Sequence, residues 1–222
     1  NNKWVTAIID PKDYKSIQNS IKGGGINEDK RLALAGKAFR HCASYDRAIS
    51  TELQGSAVHL RYGENPHQKA LVLNEKYPSC GLPQAKQIQG KEMSYNNFLD
   101  GEAALLCLHE FKEPSCVIVK HGSPCGIGSA KTSKKAFVNA LKVDPLSAFG
   151  GVIAMNERCD VSTAKELNKI FFEIIVAPSF DSGALSIFAK KKNLRVLSLG
   201  KYKPKKSLGK EIAGGWVVQD TD

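Results

Sequence analysis

The sequence predicts an α/β fold, layered around a sheet. Two observations carry this. Strand-like runs at Val58–Leu60, Ala70–Leu73, Ala85–Ile88, Cys116–Val119, Val152–Met155, Ile174–Ala177 and Val196–Leu199 alternate with helix-like runs at Leu99–Phe111, Ser133–Val143, Ala164–Phe171 and Gly183–Lys191. Strands alternating with helices of about three turns are the pattern of a sheet packed under helices. The second is Val117-Ile-Val-Lys-His-Gly-Ser-Pro-Cys-Gly126, where an apolar run ends in a cation and an imidazole, followed by a Gly/Pro-rich turn. A buried strand delivers side chains to its carboxyl end in this way, and α/β folds place their chemistry there.

Ahead of this pattern, Val5-Thr-Ala-Ile-Ile9 reads as a buried strand. Asp10-Pro11 starts a short helix, with Asp as N-cap and Pro at the first helical position, running to about Ile21. Gly23-Gly-Gly25 ends it. A longer helix begins near Asn27, with Glu28 and Asp29 in its first turn, where the helix dipole favours acids. Leu32, Ala35, Phe39, Cys42, Ile49 and Leu53 follow helical spacing as its buried stripe. Gln54-Gly-Ser56 breaks it, which predicts a domain boundary: residues 1–54 and 55–222. Thr163 and Glu166 are spaced as a capping box. Gly214-Gly-Trp-Val-Val-Gln219 reads as a last strand. A strand close to each end, with no Met at position 1, leads us to expect a fragment of a longer protein.

The hydrophobic fraction of 42% supports a real core. Six Cys are scattered without C-x-x-C spacing, which argues against a zinc site or redox dithiol. Cys107 and Cys116 lie in apolar stretches, as buried reduced thiols do. With no signal peptide and no run of bilayer length visible, the expectation is a soluble, cytoplasmic protein with no membrane partner. The net charge of +10 is concentrated near the carboxyl end, where Lys190–Lys210 holds nine Lys/Arg and no acid. With Tyr202 as its single aromatic and no nucleic-acid motif, the stretch reads mainly as a solvated face. An anion- or nucleic-acid-binding module without catalysis is the alternative.

Several segments are richer in functional residue types than folding requires. Lys120 and His121 suit a site that moves a proton and steadies a developing charge; a solvated strand end with a chance His is the plainer reading. In Leu60-Arg-Tyr-Gly-Glu-Asn-Pro-His-Gln68, Arg61 offers a planar fork for a phosphate, and Tyr62 a hydroxyl and a ring. The same segment reads as a polar loop. In Gln89-Gly-Lys-Glu-Met-Ser-Tyr-Asn-Asn-Phe-Leu-Asp100, Ser94, Asn96 and Asn97 exceed what one helix cap needs, and a helix start also holds polar ligands. The paired glycines of Asp144-Pro-Leu-Ser-Ala-Phe-Gly-Gly151 allow close backbone approach or simply a turn. Glu173, in Phe171-Phe-Glu-Ile-Ile-Val-Ala-Pro178, is costly unless satisfied, and reads equally as an exposed helix end or a ligand's partner. The zinc-deaminase pattern, H-x-E followed by P-C-x-x-C, is absent. So are a Walker loop and a dinucleotide-binding glycine fingerprint.

Taken together, LRYGENPHQ, KEMSYNN, VKHGSPCG, DPLSAFGG and FFEIIVAP resemble the PurH family of bifunctional purine-biosynthesis enzymes, over essentially the whole chain. The family joins AICAR transformylase to IMP cyclohydrolase. The resemblance implies that residues 1–54 are the carboxyl-terminal strand and helices of the cyclohydrolase domain. It implies that 55–222 are the first of two transformylase subdomains, of cytidine-deaminase-like fold and without zinc. The implied reaction is formyl transfer from the co-substrate 10-formyltetrahydrofolate to AICAR, in a homodimer, with no nucleic-acid partner. By motif, the catalytic pair falls on Lys120 and His121, and substrate binding on Arg61, Tyr62, Asn97, Gly150 and Glu173. The family also uses residues of the second subdomain and others upstream of Asn1. The chain as given is therefore expected to lack a complete site for either reaction.

Overall fold

The computed structural model describes residues 2–53, 57–73, 80–213 and 215–221. The chain divides into two compact units, Asn1–Ala57 and Val58–Asp222. The predicted break at Gln54-Gly-Ser56 lies outside the described residues.

The first unit is helical. Asp10 caps a short 3-10 turn, Pro11–Asp13, by accepting from the Lys12 amide, and α1 (Tyr14–Lys22) follows. Lys37 ties both acids back, with Nζ 2.7 Å from Asp10 Oδ2 and from Asp13 Oδ2. The Lys37 bond, followed by the Lys12 amide, holds the Asp10 carboxyl below its ordinary range. Then comes α2 (Glu28–Leu53), started by Asn27 Oδ1, which accepts from the Lys30 amide at 2.9 Å.

Two expectations fail in this unit. Val5–Ile9 is not a strand: no strand among the unit's described residues up to Leu53 lies beside it to pair its backbone, and Val5 is 56% exposed. Nor is the α2 stripe buried. Leu34 and Ala35 are, but Leu32 and Phe39 are 58% and 77% exposed, and Cys42 and Ile49 are exposed too. Helical spacing identifies a face, but only a neighbour buries it. Nothing is described of Leu53's side chain.

The second unit is the layered α/β body. Its strands are β1 (Ala57–Leu60), β2 (Ala70–Leu73), β3 (Lys86–Gln89), β4 (Ser115–Lys120), β5 (Ser123–Ser129), β6 (Val152–Met155), β7 (Ile174–Ala177), β8 (Arg195–Ser198), β9 (Ser207–Ile212) and β10 (Gly215–Asp220). Its helices are α3 (Tyr95–His109), α4 (Ser133–Leu141), α5 (Val161–Leu167) and α6 (Ser182–Phe188). The main sheet runs β3-β8-β7-β6-β4-β5, and β1-β2 and β9-β10 form separate two-stranded ribbons. β6, β7 and β8 are parallel, while β4 is antiparallel to both β5 and β6, and β3 to β8.

Alternate residues of the central strands feed two cores. Val117, Val119, Val152, Ala154, Ile174, Val176 and Leu197 pack with Ala104, Leu105 and Leu108 of α3. Cys116, Ile118, Ile153, Met155, Ile175, Ala177 and Val196 face α4, α5 and α6 through Phe137, Leu167 and Phe188. Helices on both faces explain why these strands read as unbroken apolar runs. Burial pushes the Cys159 thiol up to about 12 and raises that of Cys116 further. Cys107 is only half-buried. No helix among the described residues is long and apolar enough to cross a membrane.

The Gly/Pro-rich segment after His121 is not an extended turn. It is a two-residue turn, His121-Gly122, followed by β5. The strand was illegible because its buried positions are Gly126 and Gly128. A Cβ at Gly126 would collide with the Ala140 carbonyl, and one at Gly128 with the Ala140 amide and the Ala136 carbonyl, so α4 lies directly on the strand backbone. Gly128→Ala is therefore expected to destabilise the protein by about 3 kcal/mol, since backbone cannot yield as a side chain can. Urea unfolding, read as a lowered midpoint at unchanged slope, checks this.

Two smaller corrections concern caps and edges. The α5 cap is Asp160, whose Oδ1 accepts from the Thr163 amide at 2.7 Å, not Thr163. Glu166 instead reaches Lys169 and Lys134. β9 carries no apolar alternation to read, because Lys210 falls between Leu208 and Ile212. Its partner β10 matches the predicted last strand from Gly215 on; Gly214 lies outside the described residues.

Candidate functional site

One cavity of about 690 Å³ gathers residues from distant parts of the second unit. Arg61, Tyr62, Asn97, Lys120, His121, Gly150 and Glu173, the seven residues singled out from sequence, all line it.

Lys120 ends β4 and His121 opens the turn to β5. Lys120 Nζ donates to the Phe149 carbonyl at 2.8 Å, which holds the ammonium at the cavity wall. Lys120 pairs with Ser123 across the turn, and both His121 (φ 54°) and Gly122 (φ 74°) have positive φ. That is the pattern of a type I′ turn, where Asn, Asp and Gly are preferred at the first position. His121 is the one non-glycine residue with positive φ among those described. Asp100 of α3 supports the turn, its Oδ1 accepting from the Gly122 amide at 2.7 Å.

The polar loop after β1 divides its labour. Gly63 N–H donates to the Gln68 carbonyl at 2.8 Å, and Gln68 Oε1 accepts from the Asn65 amide at 2.8 Å, so this part closes on itself. Arg61 and Tyr62 are left for the cavity, with the guanidinium 5.6 Å from the Tyr62 ring centre.

At the start of α3, Ser94 and Asn97 form a reciprocal capping box: Asn97 N–H donates to Ser94 Oγ at 3.2 Å, and Ser94 N–H to Asn97 Oδ1 at 3.1 Å. The buried Asn97 then donates from Nδ2 to Glu173 Oε2 at 2.8 Å. Half of its side-chain hydrogen-bonding capacity is therefore taken by cap and carboxylate. Asn96, exposed beside it, lines the same wall.

Glu173 is not a helix end. It lies in the link between α5 and β7, where its N–H donates to the Gly151 carbonyl and its carbonyl accepts from the Arg195 amide, both at 3.0 Å. Arg195 opens β8. Its Nε and Nη2 donate to the Glu92 carbonyl at 3.0 and 2.8 Å, and its Nη1 lies 3.7 Å from Glu173 Oε2. Burial lowers the Arg195 pKa, against the pull of Glu173 and Tyr62. Gly150 closes the wall with φ 74°, its N–H donating to the Phe171 carbonyl at 2.8 Å. The Asp144–Ser147 part of that segment is structural. Asp144 accepts from both the hydroxyl and the amide of Ser147, which hold its carboxyl below the ordinary range.

Sequence reading missed Arg195, Asn193, Lys91, Glu92, Asp100 and Phe171, which also line the cavity. Arg195 carries the clearest signal, a cation opening an apolar strand, but it lies within the basic stretch Lys190–Lys210. Most cations of that stretch are exposed, as expected of a solvated face, and Lys191 is an exception beside Arg195. Lys191 Nζ donates to the carbonyls of Asn168 and Ile170 at 2.7 and 2.8 Å, and burial pulls its pKa down.

Arg61, Lys91, Lys120 and Arg195 line the cavity together with Glu92, Asp100 and Glu173. Phe171 adds an aromatic surface, its ring 5.6 Å from that of Phe149. The arrangement can hold an anion, stack a planar ring and present an imidazole beside an ammonium. Among the described residues, no three His, Cys, Asp or Glu are grouped to hold a metal ion.

Comparison with known proteins adds a family. The model described as "AICARFT/IMPCHase bienzyme" matches residues 1–222. The bifunctional purine biosynthesis protein PurH of Thermoanaerobacter sp. (strain X514) is 43% identical over 238 residues, covering 100% of this chain and 47% of that protein. PurH of Persephonella marina is 44% identical over 246 residues, covering 100% and 48%. PurH of Bacillus subtilis (strain 168) is 43% identical over 242, covering 100% and 47%. The chain thus spans about half the length of these relatives. Among solved structures, "Acinetobacter baumannii RibD, form 2" aligns at TM-score 0.34 and 18% identity, over 43% of this chain and 31% of that one, a likeness that carries no argument.

Proposed function

The chain belongs to the AICARFT/IMPCHase bienzyme family, and from that premise we propose that its second unit carries part of an AICAR transformylase site in de novo purine biosynthesis. The reading rests on one observation: Lys120-His121 and Arg61-Tyr62, distant in sequence, meet at one cavity with Asn97, Gly150 and Glu173. In this reading residues 1–54 end an IMP cyclohydrolase domain. Residues 55–222 form the first transformylase subdomain, of cytidine-deaminase-like fold, in a cytoplasmic homodimer.

The proposed reaction transfers a formyl group from 10-formyltetrahydrofolate to the 5-amino group of AICAR. That amine is a poor nucleophile, because its lone pair is delocalised into the imidazole ring. Its nitrogen attacks the formyl carbon as His121 takes its proton, directly or through the carboxamide. Lys120 steadies the resulting oxyanion or supplies a proton to N10 of the folate. The bond from carbon to N10 then breaks, leaving FAICAR and tetrahydrofolate. Arg61 and Tyr62 hold AICAR, which contributes through proximity. Closure of FAICAR to IMP belongs to the cyclohydrolase part of the full-length protein.

The test is tetrahydrofolate release by the full-length polypeptide that carries this chain. Release is expected only with AICAR present. His121→Ala is expected to slow it about 10²–10⁴-fold, with AICAR binding kept within a few-fold. Equal turnover in variant and parent would overturn the assignment of His121.

A further inference from the structure

The left-handed backbone of His121 has to be held by something. Residues forced into sparsely populated backbone regions persist only where their surroundings over-determine them, and they gather at functional sites. The hairpin register supplies one constraint, pairing Lys120 with Ser123. The second comes from another element. Asp100 of α3 presents Oδ1 to the Gly122 amide at 2.7 Å. A carboxylate accepting a backbone N–H is a charge-assisted bond, stronger than a neutral one.

Nothing in α3 itself calls for this carboxylate. The helix starts at Tyr95 and is capped by Ser94 and Asn97, so Asp100 sits beyond the first turn, where Asp is a poor helix former and gains little from the dipole. It is half-buried on the cavity wall beside His121. Asp144, by contrast, is consumed by its own turn.

We propose that Asp100 is a positioning residue. Through the Gly122 N–H it fixes the two-residue turn and so holds the His121 imidazole at the cavity beside Lys120. The proposal rests on the reading of His121 as the base in formyl transfer.

The experiment uses the full-length polypeptide as parent, Asp100→Ala and Asp100→Asn, each also combined with His121→Ala. Asn keeps Oδ1 as an acceptor, and Ala removes it. The first readout is hydrogen exchange at the Gly122 amide, which needs no activity. Protection is expected to fall about tenfold or more in Asp100→Ala and to stay within about threefold of the parent in Asp100→Asn. The second readout is kcat against KM. Asp100→Ala is expected to lower kcat about tenfold or more with KM for AICAR nearly unchanged, and Asp100→Asn to recover most of it. In the His121→Ala background, Asp100→Ala should cost nothing further, because residues acting through one another are not additive.

Unchanged Gly122 exchange in Asp100→Ala overturns the tether. Equal proportional losses in both backgrounds overturn its action through His121. If Asp100→Ala does not fold, Asp100→Asn decides: parent-like protection and kcat support the tether, and loss of either overturns it. If the parent itself transfers no formyl group, the proposed reaction falls, and Gly122 exchange still decides the tether.

Discussion

Replacing His121 with Asn is expected to slow formyl transfer about 10²–10⁴-fold in a protein at least as stable as the parent. The two effects separate because the turn and the chemistry make opposite demands on one position. With φ 54° at residue 121 and 74° at Gly122, the turn favours Asn, whose short polar side chain tolerates the left-handed region. A bulkier residue pays on the order of 1 kcal/mol there. His121 therefore spends stability to place an imidazole in the cavity, as local rules are broken at functional sites. Asn cannot exchange a proton near neutral pH, so the loss should be about 10²–10⁴-fold. Tetrahydrofolate release gives the rate, and the urea midpoint gives the stability. A variant that keeps most of the rate would remove His121 from the chemistry. A clearly lowered midpoint would mean that the imidazole itself supports the fold.

The layered body was largely legible in the sequence, and the reason is burial on both faces. Val117–Val119, Val152–Met155 and Ile174–Ala177 are apolar without interruption because each alternate residue enters a different core. What escaped is structure that leaves no apolar trace. β5 buries glycines against α4, and β9 has a lysine between its two apolar residues. In the first unit the opposite error occurs, since apolar residues at regular spacing were read as buried when Phe39 and Val5 are not. Pattern reports which residues would gain from burial, and the neighbours decide whether they obtain it. Around the cavity, the residues found from sequence were those out of keeping with their setting, such as Lys120 after Val119 or Glu173 among aromatic and aliphatic neighbours. Arg195 and Asp100 escaped because each sits in a setting, a basic run and a helix, where its charge looks ordinary.

The Glu173 carboxylate yields the other large effect. Its backbone is fixed on both sides by sheet hydrogen bonds to Gly151 and Arg195, so its side chain leaves the sheet at a set place. Oε2 is occupied by Asn97 Nδ2 at 2.8 Å, with Arg195 Nη1 at 3.7 Å on the same oxygen. Oε1 is the oxygen left to accept from a ligand, and AICAR offers amine, carboxamide and ribose hydroxyl donors. A hydrogen bond to a charged acceptor contributes about 1.5–3 kcal/mol, so Glu173→Ala is expected to weaken AICAR binding by about 10- to 100-fold in calorimetry. It should also lower stability by about 1–3 kcal/mol, because Asn97, only 4% exposed, loses the partner of its amide. Glu173→Gln separates the two roles. Its carbonyl oxygen must turn toward Asn97 to satisfy the buried amide, which points its own NH₂ at the ligand's donors. Stability should therefore return while binding stays as weak as in Glu173→Ala, or weaker. If Glu173→Gln bound AICAR like the parent, the carboxylate would be a brace for Asn97 and Arg195 alone, and recognition of the ligand's donors would have to lie with other groups on the cavity wall, such as Asn96 and Asn193.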